Sequence, residues 1–229
     1  MADKSIVYSD AVQYWSSVSH DDDGVLGGFG NDTVVPRVDV QGSLAFVKRL
    51  SELSPNTFPQ PGSDNIVLDV GAGVGRVSRD VLSKFASAVD LLEPAPPLLE
   101  KAREIESVVP VRNYFLSGLQ DFVFPDYSYW CVWCQWCLGQ VPDLVLVQFL
   151  EECRRHLQPG GLVIIKENNS SGDDIFDPED SSVTRTHEKF KQLFARAGYR
   201  VLLTSLQKGM PAGLFPVRIY ALAPALERT

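Results

Sequence analysis

The run IVLDVGAGVGR, residues 66–76, decides the fold. Its first five residues read as a short buried strand, and glycines at 71, 73 and 75 follow at once. Glycines between a strand and a helix let the backbone approach a ligand closely and take dihedrals closed to other residues. The helix opened by this turn is expected to run through residues 81–85. Beyond it the chain alternates: strand VDLLE (89–93), helix 94–107 with Leu98, Leu99 and Ala102 facing inward, strand VRNYF (111–115), strand WCVWCQ (130–135). A helix over 144–157, stopped by Pro159-Gly160-Gly161, leads to strand LVIIKE (162–167). Phe190, Leu193, Phe194 and Ala197 recur at helical spacing with Gly198 as the C-cap, and YRVLLTSLQ and PVRIYAL close the chain as a strand pair. The pattern predicts an α/β fold, a doubly wound and largely parallel sheet with helices on both faces. Such sheets bind ligands at the carboxyl ends of their strands.

Upstream of this pattern, residues 1–60 read as a helical and loop extension packing over the substrate site, with residues 61–229 as the sheet domain and the two forming one structural unit. Tyr8, Val12 and Trp15 make a partial apolar face, DGVLGGFG (23–30) is a glycine-rich turn, and a helix is expected over 42–53. The Pro- and Gly-rich stretch 54–65 reads as a connecting loop.

The chain has 229 residues, 45% of them hydrophobic and 22% charged, enough for a sizeable core without metal or disulfide support. Its formal net charge of −8 argues against a nucleic-acid or anionic-membrane partner, whose phosphates need Lys and Arg. No apolar run reaches the roughly 20 residues of a membrane span, and MADKSIVYSD lacks a signal-peptide core. A cytoplasmic location is expected, with a nuclear one left open. Cys131, Cys134 and Cys137 share a segment spaced like an iron–sulfur or zinc site. In a strand, however, the first two point to opposite faces, so reduced core thiols and no metal are expected. His20, His156 and His187 read as surface residues.

The cofactor signal is the spacing. Asp69, Gly71, Gly73 and Gly75 form D-x-G-x-G-x-G, tighter than the G-x-G-x-x-G of nicotinamide enzymes, and resemble motif I of class I S-adenosylmethionine methyltransferases. Glu93, at the end of the second strand, can accept two hydrogen bonds from ribose hydroxyls. GLQDF (118–122) and LQPGG (157–161) fit the same class.

DDIFDPEDSS (173–182) places five carboxylates in one loop after the fifth strand. Such a cluster repels itself and fits either a cationic ligand or a solvated face. Trp136 is open to two readings as well, core or cavity, because Trp130, Trp133 and Trp136 do not all fit on one buried face.

Taken together, YW (14–15), DGVLGGFG (23–30), RNYFLSGLQDF (112–122), CQWCLG (134–139), IKENN (165–169), DPEDSSVTR (177–185) and PVRIYAL (216–222) resemble the eukaryotic protein N-terminal methyltransferases that act on X-Pro-Lys/Arg ends, in a fungal-type form. The resemblance covers essentially the whole chain. It implies S-adenosyl-L-methionine as cofactor, held by Asp69, Gly71, Gly73, Arg76, Glu93, Leu119, Gln120 and Gln135. It implies free N-terminal peptides as substrate, ribosomal proteins among them, and the protein is expected to act as a monomer. Trp136 would pack on the second-position proline with Leu26 completing the slot, and Trp15, Gly27 and Phe215 would line it. Asn168 would bond the peptide backbone, while Asp177, Asp180 and Ser182 would receive the third-position Lys or Arg. The catalytic set would be Asp180, Asn168 and Gln140. Two departures stand out: the family has His where this chain has Gln140, and animal members have Tyr where it has Phe215. Gln orients an amine but is no general base at neutral pH, so Asp180 is expected to carry proton removal alone. The competing readings are a methyltransferase for a small molecule or a side chain, and a non-catalytic binding partner that keeps the fold.

Overall fold

The computed structural model describes residues 2–53 and 64–225, so the expected connecting loop falls outside the described residues but for its last two. Three helices come first: Tyr8–Ser17 (α1), Asp22–Val25 (α2) and Val35–Leu53 (α3). There follow Ile66–Val70 (β1), Arg76–Asp80 (α4), Ala88–Glu93 (β2), Pro96–Lys101 (α5), Val111–Leu116 (β3) and Tyr129–Gln135 (β4). Asp143–Arg155 (α6), Leu157–Asn168 (β5), Ile175–Asp177 (β6), Ser182–Thr184 (β7), His187–Arg196 (α7), Tyr199–Leu206 (β8) and Val217–Pro224 (β9) complete the chain.

The main sheet has seven strands in the order β3-β2-β1-β4-β5-β9-β8, and the expected fold class stands. β1 to β5 run parallel, and the closing pair β8–β9 is antiparallel, with β9 antiparallel to β5. Strand order reverses between β1 and β4, the switch point where doubly wound sheets open a crevice. Alternation along β1 sorts the core. Ile66, Leu68 and Val70 pack on the side of α6 and α7, against Leu146, Phe149, Leu150, Phe190 and Phe194. Val67 packs on the other, with Phe46, Val47 and Leu50 of α3 and Val77 of α4. Burial on both faces removes water from the central strands β1, β2, β4 and much of β5, and supplies most of the favourable free energy of folding.

Several boundaries differ from the sequence expectation. α3 begins at Val35, seven residues early, because Pro36 sits in the first turn, where a missing N–H leaves no intrahelical bond unmade. α4 ends at Asp80 and gives way to a 3-10 turn, Leu82–Lys84. α5 likewise starts at Pro96 and passes at Lys101 into the 3-10 segment Ala102–Ser107. α6 stops at His156, ahead of Pro159-Gly160-Gly161, which lies inside β5. Gly160 takes φ +79 there while β4 shifts register between Tyr129 and Cys131, so the irregularity is absorbed within the sheet. That shift also places Trp130, Cys131 and Trp133 together in the core under α3. α7 agrees with expectation: Thr186 caps it by accepting from the Lys189 amide at 3.0 Å, and Gly198 follows at φ +78.

The acidic loop is an ordered two-stranded hairpin, β6–β7. Val7 N donates to Ser181 Oγ at 2.8 Å, joining the start of the chain to this hairpin. Among the described residues no helix is long and apolar enough to cross a membrane.

Candidate active site

The turn after β1 is built by backbone geometry. Gly71 and Gly73 take φ +66 and +55, in the left-handed region that side chains disfavour. A Cβ on Gly71 would stand 2.4 Å from Cys137 Cβ, so the first glycine also lets β1 and the segment after β4 approach. Glu93, ending β2, accepts from Gly73 N at 2.9 Å through one oxygen and from Ala95 N at 2.8 Å through the other. Burial pushes its carboxyl up to about 7, against the pull of those two amides.

Above this turn lies a cavity lined by Trp15, Gly71, Gly73, Arg76, Glu93, Leu119, Gln120, Gln135, Trp136 and Gln140, among others. A second is lined by Trp15, Leu26, Gly27, Phe29, Trp136, Gln140, Glu167, Asn168, Asp180, Ser182, Leu214 and Phe215, among others. Trp15, Val25, Trp136 and Gln140 line both, so the two cavities share one wall. Trp136 itself sits at φ +55 just past β4, a conformation uncommon for an aromatic residue, and is anchored by its N–H to Lys166 O at 3.0 Å. The strand-end turn thereby aims its ring at the shared wall instead of the core. Its Nε1 is buried without a hydrogen-bond partner among the described residues.

At the second cavity Gln140 Nε2 donates to Asp180 Oδ2 at 3.3 Å, and Asp180 Oδ1 is buried with no hydrogen-bond partner among the described residues. Burial raises the Asp180 carboxyl above its ordinary value, with the Asp177 charge adding to the rise. Chemically, the two cavities offer a polar-ended slot beside one with a carboxylate free to take a proton or a cation.

Two expected site residues lie elsewhere. Asp69 does not line either cavity; it is 2% exposed behind the glycine turn, where Ser78 Oγ donates to it at 2.6 Å. Its side chain points from β1 toward α4, opposite to the neighbours that face α6, and burial pushes its carboxyl up to about 6. Asp177 is exposed on β6 and accepts from Glu179 N at 2.9 Å. It borders Asp180 electrostatically without entering the cavity.

Four residues to which the sequence assigned no role stand beside the site: Asp39, Lys166, Glu167 and Arg185. Asp39, on α3, is fully buried and accepts from Arg76, Gln135 and Lys166. Glu167 accepts from Cys137 N at 2.9 Å and Leu138 N at 2.8 Å, clamping the turn that carries Trp136 and Gln140. Arg185 holds the same turn from the other side. The available signal was charge at buried positions: Lys166-Glu167 closes an apolar strand, and Asp39 lies on the core-facing stripe of a helix.

The cysteines divide between the two faces, Cys131 on one and Cys134, Cys137 and Cys153 on the other, and all are free thiols. Two histidines depart from the expected surface placement. His156 is half-buried and stacks on Phe124, and His187 stacks on Tyr220, whose hydroxyl lies 2.9 Å from its Nδ1.

The chain is 40% identical over 218 residues to alpha N-terminal protein methyltransferase 1 of Schizosaccharomyces pombe, covering 95% of this chain and 96% of the relative. It is 35% identical over 222 residues to the rat N-terminal Xaa-Pro-Lys N-methyltransferase 1, covering 96% of each. Among solved structures it superposes on a SAM-dependent methyltransferase from Leishmania major with a TM-score of 0.83 and 34% identity, over 94% of this chain and 82% of that one. The family model described as AdoMet-dependent proline di-methyltransferase matches residues 3–223, and the chain belongs to that family.

Proposed function

We propose that this enzyme transfers methyl groups from S-adenosylmethionine to the free α-amino group of proteins that begin X-Pro-Lys or X-Pro-Arg. The observation that carries the reading is the shared wall: a glycine-floored cavity and a carboxylate-bearing cavity meet at Trp15, Trp136 and Gln140. The residues of the first cavity fit the cofactor. Gly71 and Gly73 leave a floor without side chains, Glu93 presents an acceptor for a ribose diol, and Arg76 presents a cation for a carboxylate. Leu119 and Gln120 form its far wall, and Gln135 reaches it from the end of β4. When bound, S-adenosylmethionine supplies an electrophilic sulfonium methyl.

The chain's own groups do the rest. Trp136 and Leu26 form an apolar slot for a proline, with Trp15, Gly27 and Phe215 completing the wall. Asn168 bonds the first peptide unit, and Asp180, Ser182 and Asp177 attract the third-position cation. The reacting amine must be neutral, and with a pKa of about 7.7–8.0 roughly a tenth is so at pH 7. A carboxylate opposes deprotonation by favouring the ammonium form. Asp180 therefore acts as acceptor and relay: Gln140 holds Oδ2, leaving the unpartnered Oδ1 to take the departing proton. Holding amine and methyl in line across the shared wall supplies much of the remaining rate. In this reading residues 1–60 serve as an extension over the sheet domain of residues 61–229. Support comes from α1 and α2, which bring Trp15, Leu26 and Gly27 to the cavities, while α3 packs on the sheet itself.

Mass spectrometry of peptides incubated with enzyme and S-adenosylmethionine tests the proposal. Ala-Pro-Lys ends should gain up to three methyls and Pro-Pro-Lys ends up to two, the limit for a secondary amine, and acetylated, Pro→Ala and Lys→Glu controls should gain none. Cofactor binding without turnover on any peptide would move the assignment to a small-molecule enzyme or a non-catalytic partner.

The raised carboxyl of Glu93 adds a pH dependence. Ribose hydroxyls donate to the ionised form, so binding must remove the proton that the free protein holds below about pH 7. Affinity for S-adenosylhomocysteine should therefore fall with acidity, about fivefold from pH 7 to 6. Calorimetry across that range checks it, and the slope should vanish in Glu93→Gln.

A further inference from the structure

Asp39 belongs to helix α3, yet its carboxylate lies where the start of α4 meets the ends of β4 and β5. It is fully buried, as are Lys166 and Ser43, while Arg76 and Gln135 retain 4% and 6% exposure toward the first cavity. Arg76 Nη1 donates to one of its oxygens at 2.8 Å, and Gln135 Nε2 reaches both, at 2.9 and 3.0 Å. Lys166 Nζ pairs with the carboxylate, and also donates to Asp39 O and Ser43 Oγ, each at 2.9 Å. One side chain thus gathers the residue opening α4, the last residue of β4 and a residue near the end of β5.

A buried carboxylate stays ionised only if compensated, and here Lys166 and Arg76 hold the Asp39 carboxyl below its ordinary value despite burial. The arrangement also constrains Arg76. Asp39 occupies one of the five N–H donors of a guanidinium, and the Trp136 ring lies beside it, 5.7 Å from Arg76 Cζ. Among the described residues Arg76 makes no other side-chain hydrogen bond. A long, flexible cation at a cavity edge would otherwise sample several rotamers and pay their entropy on binding an anion.

We propose that Asp39 is a positioning residue of the methyl-donor site, which aims the Arg76 guanidinium at the donor's carboxylate and so builds the N-terminal helix into cofactor recognition. The proposal rests on the reading of the first cavity as the donor site. Its selectivity is chemical: Asp39 affects only the amino-acid end of the cofactor and leaves the adenosine end, held by Glu93 and Leu119, untouched.

The test compares two ligands on the full chain by calorimetry. S-adenosylhomocysteine carries the carboxylate, and 5′-methylthioadenosine keeps the adenosine and sulfur without it. Asp39→Asn should weaken S-adenosylhomocysteine roughly tenfold or more, the scale of one charge-assisted hydrogen bond, and leave 5′-methylthioadenosine unchanged. Adding Arg76→Gln should cost less than Arg76→Gln costs in the wild-type background, since both act through one contact. Because Asp39→Asn leaves Lys166 unpaired, Asp39→Asn/Lys166→Met is measured alongside it, and it should show the same selective loss. Equal weakening of both ligands, or no weakening of either, overturns the positioning role. Failure of the wild-type protein to bind S-adenosylhomocysteine would instead overturn the donor-site reading.

Discussion

Asp180→Asn is expected to lower kcat on an X-Pro-Lys peptide by about 10²–10⁴-fold, the range for loss of a positioned proton acceptor. Affinity for S-adenosylhomocysteine should stay at its wild-type value, because Asp180 lines the second cavity and not the first. The substitution keeps the size of the side chain and its contact with Gln140 while removing the basic oxygen. A change confined to peptide KM would make Asp180 a binding residue for the third-position cation and nothing more. The pH profile separates these roles further. Burial raises the Asp180 carboxyl, so its basic form is present above that raised value and lost as the pH falls through it. The substrate amine also becomes reactive as pH rises toward 8. Both effects act in one direction, so wild-type kcat/KM should rise with pH, and with Gln140 in place no imidazole adds a limb near pH 6.5.

The second large effect is on stability. Arg185 is fully buried and donates to Leu138 O at 2.7 Å, to Val141 O, and to Asp143 Oδ1 at 2.9 Å. It thereby ties the end of the β6–β7 hairpin to the turn that carries Gln140. Arg185→Met fills much of the same volume but strands two carbonyls and removes a partner from Asp143, which among the described residues keeps its ion pair with Lys189. A loss of about 3–5 kcal/mol is expected, as for other buried ion pairs broken from one side. For a chain of this length that lowers Tm by roughly 10 °C, at about 2–4 °C per kcal/mol. Thermal unfolding followed by circular dichroism measures it. A shift below about 3 °C would mean that water or a neighbouring residue replaces these bonds.

The sheet was legible because its signals are local. A five-residue apolar run followed by three glycines specifies strand, turn and helix within eleven residues, and the same rhythm recurs to Leu222. Where boundaries slipped, a competing local rule prevailed. Pro36 and Pro96 lie in first helical turns and set where α3 and α5 begin, and Pro159-Gly160-Gly161 reads as a stop yet is absorbed into β5 by a shift in β4. The hairpin under DDIFDPEDSS was hidden because three-residue strands carry too little alternation to register.

The candidate site divides in the same way. Glu93, Arg76, Trp136, Asn168 and Asp180 stand on quotable motifs and do line the cavities, while Asp69 and Asp177, from motifs just as clear, do not. A motif reports that a residue type recurs at a position and is silent on whether its side chain faces the ligand or the supporting helix. By itself, then, the sequence determined the fold class, the carboxyl-end location of the chemistry and most of the residues around it, because each rests on period, spacing or composition within a short window. Only the tertiary structure decided that Asp39 joins Arg76, Gln135 and Lys166, that Glu167 and Arg185 clamp one turn from two sides, and that Trp136 stands between two cavities. Those contacts bring together residues 29 to 127 positions apart, or depend on one backbone dihedral at +55°, and a linear pattern encodes neither.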